Sequence, residues 1–296
     1  MDLKIVEFFQ SFSNGFFDVI FKFFNEFGDE LVFLIVSTII WWLINKKFAY
    51  RFMMIFLTSV AVNDVFKNII KRPRPYTFDS VTSVTEPTYG YSFPSGHAQN
   101  SMIMALVLDE SYGKTKKWVR PLLYTIVGLV LIARIYLGQH YLTDVLAGVI
   151  VAIGVYYAFV KLAPYINIEP KKLFYYSIPF LLIIGIFIVD KNYYVAVFSM
   201  IGITIGYDLE LKYINYQVKA PLKIQVLKYA IGIVIALLLK EGLKIILPYS
   251  GNDDLNLTQL DLVLDGIRYF ILTFWLSFGA MWVFKKLFNK YEPLSE

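Results

Sequence analysis

The chain contains no cysteine and only two histidines in 296 residues. Without cysteine there can be no structural disulfide and no thiolate metal site, and the redox compartment leaves no mark on the sequence. Charge is scarce as well. Charged residues make up 17% of the chain, against about one quarter in soluble domains. No basic run is interleaved in a way that would track a nucleic-acid backbone, so the net charge of +5 does not point to nucleic acid. The first residues lack a clear basic n-region and a small-residue cleavage site, and they carry Asp2 and Glu7 early, which argues against a signal peptide. There is no convincing internal repeat and no low-complexity tract.

Apolar and aromatic residues fill the space that charge leaves. The chain is 57% hydrophobic and 18% aromatic, and its apolar blocks recur at close to membrane-spanning length. Nine spans are expected, near 29–46, 48–71, 95–112, 117–138, 141–162, 173–190, 192–209, 223–247 and 265–287. The expected fold is therefore all-α, a polytopic transmembrane helix bundle. Ahead of it, Phe8, Phe9, Phe12, Phe16, Phe17, Phe21, Phe23 and Phe24 fit broken amphipathic helices lying in the membrane interface. The span at 95–112 is the least apolar, because it holds Gln99, Asn100 and Ser101, with Asp109 and Glu110 near its end. Polar residues inside a span are costly and usually face a protein interior or a cavity, so that weakness is itself a pointer to a site.

Nine spans would put the two termini on opposite sides. Most of the 28 lysines and arginines then gather on the side away from residues 72–94, among them Lys46, Lys47, Arg51, Lys116, Lys117, Lys285 and Lys286. By the positive-inside rule that side is cytoplasmic, and residues 72–94 and the N-terminus face outward.

Three segments arrive at that outward face: Lys67 to Pro75, Phe93 to His97, and Arg134 to Asp144. Together they read as an oxyanion site. Arg74 and Arg134 offer planar forks of donors suited to phosphate oxygens, and Lys67 adds a compact charge. Ser95 and Gly96 open a helix, where a hydroxyl, exposed backbone N–H groups and the helix dipole all favour an anion. Arg134 stands in the apolar run LVLIARIYLG, where a lone charge is expensive, so an anionic partner is expected for it. Lys71 and Arg72 read equally well as ordinary interface anchors.

Both histidines of the chain, His97 and His140, fall inside these clusters. A neutral imidazole can attack phosphorus, and a protonated one can hand its proton to the leaving oxygen. Asp144 stands four residues after His140, one helical turn away, where a carboxylate would fix the tautomer and stabilise the imidazolium.

The pattern Lys67-x6-Arg74-Pro75, then Pro94-Ser95-Gly96-His97, then Arg134-x5-His140-x3-Asp144 resembles the signature of the type 2 phosphatidic acid phosphatase (PAP2) superfamily. One departure is visible: Ala133 stands where that family usually has serine. The resemblance implies an integral membrane phosphatase in which His140 is the nucleophile, Asp144 orients it and His97 is the general acid. It implies that Lys67, Arg74, Ser95, Gly96 and Arg134 bind the substrate phosphate, with no metal and no cofactor. It also implies an organisation of interfacial segment 1–28, catalytic core 29–162 and C-terminal extension 163–296 with no assigned role.

The expected substrate is a phospholipid or isoprenoid phosphate: phosphatidic acid, phosphatidylglycerol phosphate or undecaprenyl diphosphate. It would be hydrolysed at the outer face of a bacterial plasma membrane through a phosphohistidine. The aromatic loop residues Tyr76, Phe78, Tyr89, Tyr91 and Phe93 are placed to shield such a site. A glucose-6-phosphatase-like sugar phosphatase and a lipid phosphotransferase would use the same first half-reaction. A transporter or scaffold that only binds anions is the non-enzymatic alternative, for which two histidines and a spaced Asp144 are surplus. The sequence carries no sign of the oligomeric state.

Overall fold

The structure, a computed structural model, describes residues 2–88, 90–162, 170–247 and 257–291. Among them there are helices and no strand, so the fold is all-α. Tyr89 of the aromatic loop, and Asp253 and Asp254 of the last long connection, lie outside the described residues.

Twelve α-helices follow one another among the described residues: α1 Asp2–Gln10, α2 Gly15–Glu26, α3 Glu30–Ile39, α4 Lys46–Ile70, α5 Gly96–Leu108, α6 Val119–Tyr136, α7 Leu142–Tyr157, α8 Pro170–Gly185, α9 Lys191–Leu209, α10 Leu222–Ile246, α11 Gln259–Phe274 and α12 Ala280–Phe288. Each of the nine expected spans contains at least one of them. Among the described residues, six stretches are long and apolar enough to cross a membrane, and a seventh qualifies if the bent pair of α2 and α3 counts as one. The chain is thus an integral membrane protein, with six or seven of the nine expected spans meeting that test. α5 is not among them, since it carries Gln99, Asn100 and Ser101, all of them buried. Only a short apolar stretch of α8, Phe174–Gly185, stands at the expected sixth span.

The chain divides into two compact units, one of residues 1–33 and 62–170, the other of 34–61 and 171–296. In the second, small residues let helices touch. A methyl at Gly202 would come within 2.5 Å of the Phe270 carbonyl oxygen, and Thr273 Oγ1 donates to the Ser199 carbonyl at 3.2 Å. Such close approach is the usual packing device where lipid removes the hydrophobic drive between helices. The buried Glu210 is satisfied by Lys46 at 2.8 Å and by the Tyr216 N–H at 2.8 Å.

The first unit positions the candidate site at three chain reversals. α4 ends at Ile70 because Lys71 turns left-handed (φ 50°) and prolines follow at 73 and 75. The residue before a proline is held extended, and Arg74 accordingly has φ −81° and ψ 155°. α5 starts at the N-cap Ser95, whose side chain accepts from the Ala98 N–H at 3.4 Å. α6 ends at Tyr136, and Gly138 (φ 71°) reverses the chain. A methyl on Gly138 would lie 2.5 Å from the Thr82 carbonyl oxygen, so glycine is required there for space as well as for conformation. His140 then leads into α7, which begins at Leu142 with Tyr141 as its N-cap.

Candidate active site

Asp144 sits in the first turn of α7 and is fully buried. Its Oδ2 accepts the Tyr141 N–H at 2.9 Å, and its Oδ1 accepts from Arg72 Nη1 at 2.8 Å. The Asp144 carbonyl also accepts the Ser95 N–H at 3.0 Å, which ties the start of α7 to the start of α5. Gly148, one turn further on, is pressed against the same place: a methyl there would lie 2.5 Å from the Ser95 carbonyl oxygen.

His140 is buried outside the helix, not within its first turn, and its backbone N–H reaches the Arg134 carbonyl at 3.2 Å. The ring keeps its relation to Asp144 even so, with Nδ1 at 3.6 Å from Oδ2. That is longer than a hydrogen bond, and the Nδ1 atom has no hydrogen-bond partner among the described residues. On the other edge, Nε2 lies 3.2 Å from Arg74 Nη1. A guanidinium only donates, so Nε2 must be the acceptor and the proton of the neutral ring belongs on Nδ1, facing Asp144. This leaves the Nε2 lone pair directed at the cationic side of the site.

Burial, together with the positive charges of Arg134, Arg74, Lys67 and His97, holds the His140 imidazolium well below the usual histidine range. The resting ring is therefore neutral at neutral pH. Lys67, His97 and Arg134 belong to three helix ends, of α4, α5 and α6, and Arg74 and His140 to two connecting segments.

Arg74 is buried and fixed by the Gly90 carbonyl at 2.9 Å and the Gln139 carbonyl at 3.2 Å. Lys67 stands at 3.7 Å from Asp64, one turn earlier on α4. A methyl at Gly96 would lie 3.9 Å from the Lys67 ammonium, so that ammonium is at the start of α5. His97 occupies the second position of α5, and its backbone is backed by Gly28: a methyl at Gly28 would meet the His97 carbonyl oxygen at 2.8 Å. Asn100 Nδ2 donates to the Gly28 carbonyl at 3.2 Å, which fastens the same approach.

Arg134 is held by a neighbour from α2. It is buried, and its direct partner is a neutral amide, Asn25 Oδ1, at 2.5 Å from Nη1. Negative charge reaches it only at longer range, from Asp29 and Glu26. Ala133, the departure from the family serine, is fully buried in an apolar cluster with Tyr136 and Leu137, against Phe21 and Phe24.

Sequence reading missed four participants. Arg72 is a ligand of Asp144 and not merely an interface anchor, and its guanidinium also stacks on Tyr141 at 3.9 Å. Asp2 and Asn25 come from segments far away in sequence. Asp64 supports Lys67, and the i, i+3 spacing was the available signal.

Fold and site together define a class: an integral membrane protein of helices whose two histidines stand, with Lys67, Arg74 and Arg134, at the helix ends and connections of the first unit. The chain belongs to the PAP2 superfamily. The family model of that name matches residues 47–168, and that of the PAP2 superfamily phosphatase transmembrane extension matches residues 194–292. Similar curated proteins include sphingosine-1-phosphate phosphatase 1 of Rattus norvegicus, 30% identical over 57% of this chain and 41% of that one. Undecaprenyl-diphosphatase of Sulfolobus acidocaldarius is 31% identical over 43% of this chain and 61% of that one. Phosphatidylglycerophosphatase B of Bacillus subtilis is 38% identical over 32% of this chain and 48% of that one. The chain thus spans less than two thirds of the length of each of these relatives.

Proposed function

We propose that this protein is a metal-independent phosphatase of membrane lipid phosphates, working through a phosphohistidine. The observation that carries the reading is the His140 ring: Nε2 toward Arg74 at 3.2 Å and Nδ1 toward the carboxylate of Asp144 at 3.6 Å. A phosphate group held by Lys67, Arg74, Arg134, the Ser95 hydroxyl and the first backbone N–H groups of α5 presents its phosphorus to Nε2. As the N–P bond forms, the ester P–O bond breaks and His97 gives its proton to the departing alkoxide. Asp144 stabilises the positive charge that develops on the His140 ring. In the second half, His97 takes a proton from water, the hydroxide attacks phosphorus, and the N–P bond breaks to give orthophosphate and the original ring. The cationic cage stabilises the charge on the transferring group throughout.

A lipid substrate is favoured because the site is carried by membrane helices and because the relatives named above act, by their names, on a sphingoid, an isoprenoid and a glycerophospholipid phosphate. We infer further that the site faces outward and the C-terminus the cytoplasm, on the lysine and arginine distribution. Purified protein given phosphatidic acid, phosphatidylglycerol phosphate, undecaprenyl diphosphate, sphingosine-1-phosphate and glucose-6-phosphate is expected to release phosphate from at least one of the lipids. It is expected to carry acid-labile, base-stable label on His140 when that reaction is quenched. Turnover of glucose-6-phosphate alone would overturn the lipid reading, and label transfer to an added alcohol in place of water would make the protein a phosphotransferase.

The electrostatics make a pH prediction. The free enzyme attacks only while His140 is neutral, and its neighbours depress its ionisation below the ordinary histidine value. The acidic limb of kcat/KM therefore lies below pH ~6.5. Lys67→Met removes one of the charges responsible, so the limb should move to higher pH as kcat/KM falls. The substrate's own ionisation is common to both enzymes and cancels in the comparison. A limb that stays in place, or moves down, would contradict the assignment.

A further inference from the structure

Two side chains that precede the family-matched region reach into the site, and both act on groups that the mechanism needs. Asp2, on α1, places Oδ2 at 2.9 Å from Arg72 Nη2 and accepts a hydrogen bond from the Thr143 hydroxyl. Arg72 Nη1 donates to Thr143 Oγ1 at 2.6 Å and to Asp144 Oδ1 at 2.8 Å. Arg72 thus stands between two carboxylates, with its flat face on Tyr141. Asn25, on α2, receives Arg134 Nη1 at 2.5 Å.

We propose that Asp2 and Asn25 are positioning residues of the phosphate site, Asp2 acting on Asp144 through Arg72 and Asn25 acting on Arg134. This rests on the phosphatase reading above.

The two contacts have different chemistry and so different consequences. A guanidinium shared by two carboxylates gives each only part of its charge. With Asp2 present, Arg72 fixes Asp144 without cancelling the negative charge that His140 needs as it becomes cationic. Burial raises the Asp2 carboxyl, but the hydrogen bonds from Thr143 and Arg72 outweigh it and hold the group below its usual range, so it is ionised at neutral pH. Without Asp2, Arg72 belongs to Asp144 alone and loses its second anchor. The loss is felt when charge develops on His140, which is in the chemical step. At Arg134 the partner is an amide oxygen, which orients the guanidinium and leaves its full charge for a phosphate. A carboxylate in the same place would aim it equally well and neutralise it. Removing Asn25 is therefore felt in phosphate binding.

The test uses the full chain in detergent with the lipid phosphate it turns over fastest, and orthovanadate binding as a readout independent of turnover. Asp2→Asn is expected to lower kcat about tenfold, the scale of one charged hydrogen bond, with KM and vanadate affinity within about twofold of wild type. Asp2→Glu should recover most of the rate. Asp2→Asn added to Arg72→Gln should cost little more than Arg72→Gln alone, because the two residues act as one chain. Asn25→Ala is expected to weaken vanadate binding and raise KM about tenfold, with a smaller change in kcat. Asn25→Asp, which keeps the aim and adds charge, should weaken vanadate binding at least as much. Lys4→Gln, an exposed charge on the same helix as Asp2, should leave every reading at its wild-type value.

Opposite splits between kcat and KM for two residues on one segment are what a loosened fold cannot produce. Equal losses in both parameters, accompanied by lower melting temperatures, would reduce the two residues to structural parts and overturn the proposal. So would unchanged kinetics and vanadate binding in an active wild-type background. A wild type that neither hydrolyses any lipid phosphate nor binds vanadate would instead sink the phosphatase reading, and the positioning roles with it.

Discussion

His140→Ala is expected to abolish phosphate release and, with it, every trace of trapped phosphohistidine. In the proposed mechanism the side chain forms and breaks the only covalent bond between enzyme and phosphate, and no other described group presents a nucleophilic nitrogen beside both Arg74 and Asp144. Loss of a covalent nucleophile acts on the scale of ~10⁵-fold or more, about 7 kcal/mol of transition-state stabilisation. The cationic cage does not depend on this ring for its charge: Lys67, Arg74 and Arg134 all remain. Vanadate or phosphate binding should therefore survive in the variant, weakened at most by the missing axial ligand. The result that would refute the assignment is a normal burst of label on His140→Ala protein, or label on His97 in the wild type.

His97→Gln should produce a defect that depends on what leaves. With a lipid alcohol as leaving group, the departing alkoxide needs a proton at once, and loss of the general acid should cost on the order of 10²–10⁴-fold. With a nitrophenyl phosphate the leaving phenolate needs no proton, so the first half-reaction should survive almost unharmed. The second half still needs a base to activate water, and the proposed mechanism gives His97 that duty as well. Phosphorylated His140 should then accumulate in His97→Gln with the activated substrate and not in the wild type. Rapid-quench labelling reads this directly. An equal loss for both substrates, with no accumulated intermediate, would mean that His97 only shapes the start of α5. In that case its backbone contact at Gly28 would be the part that matters.

The sequence made the candidate catalytic residues readable and left their supports hidden, for a physical reason. Histidine, arginine and proline at fixed intervals are local patterns: Arg74 follows Lys67 across a helix end, and Asp144 follows His140 by four residues. Each of the nine apolar segments likewise corresponds to a helix, because apolar blocks are also a local property. The span count is less legible, because it turns on where polar residues find partners. α5 hides Gln99 and Asn100 inside the protein, where Gln99 pairs with Asn63 at 2.7 Å, so its polar content makes it less apolar without exposing those groups. The contacts from Asp2 to Arg72 and from Asn25 to Arg134 bridge 70 and 109 residues of chain, and nothing in either neighbourhood announces them. Hydropathy alone asks for an anion beside Arg134, and the protein itself supplies only an amide in direct contact. A scale that sums residue costs cannot tell a charge that needs cancelling from one kept in reserve for a ligand.

That reserve has a cost in use. In the proposed mechanism the cage of three cations, with Asn25 rather than a carboxylate against Arg134, keeps its full charge when the second product forms. Orthophosphate fits the same donors and has no lipid tail to draw it back into the bilayer. On that reading the product competes with the substrate, and steady output falls as the phosphate level of the compartment the site faces rises. Lipid phosphatase activity is then expected to be lower in phosphate buffer than in a phosphate-free one.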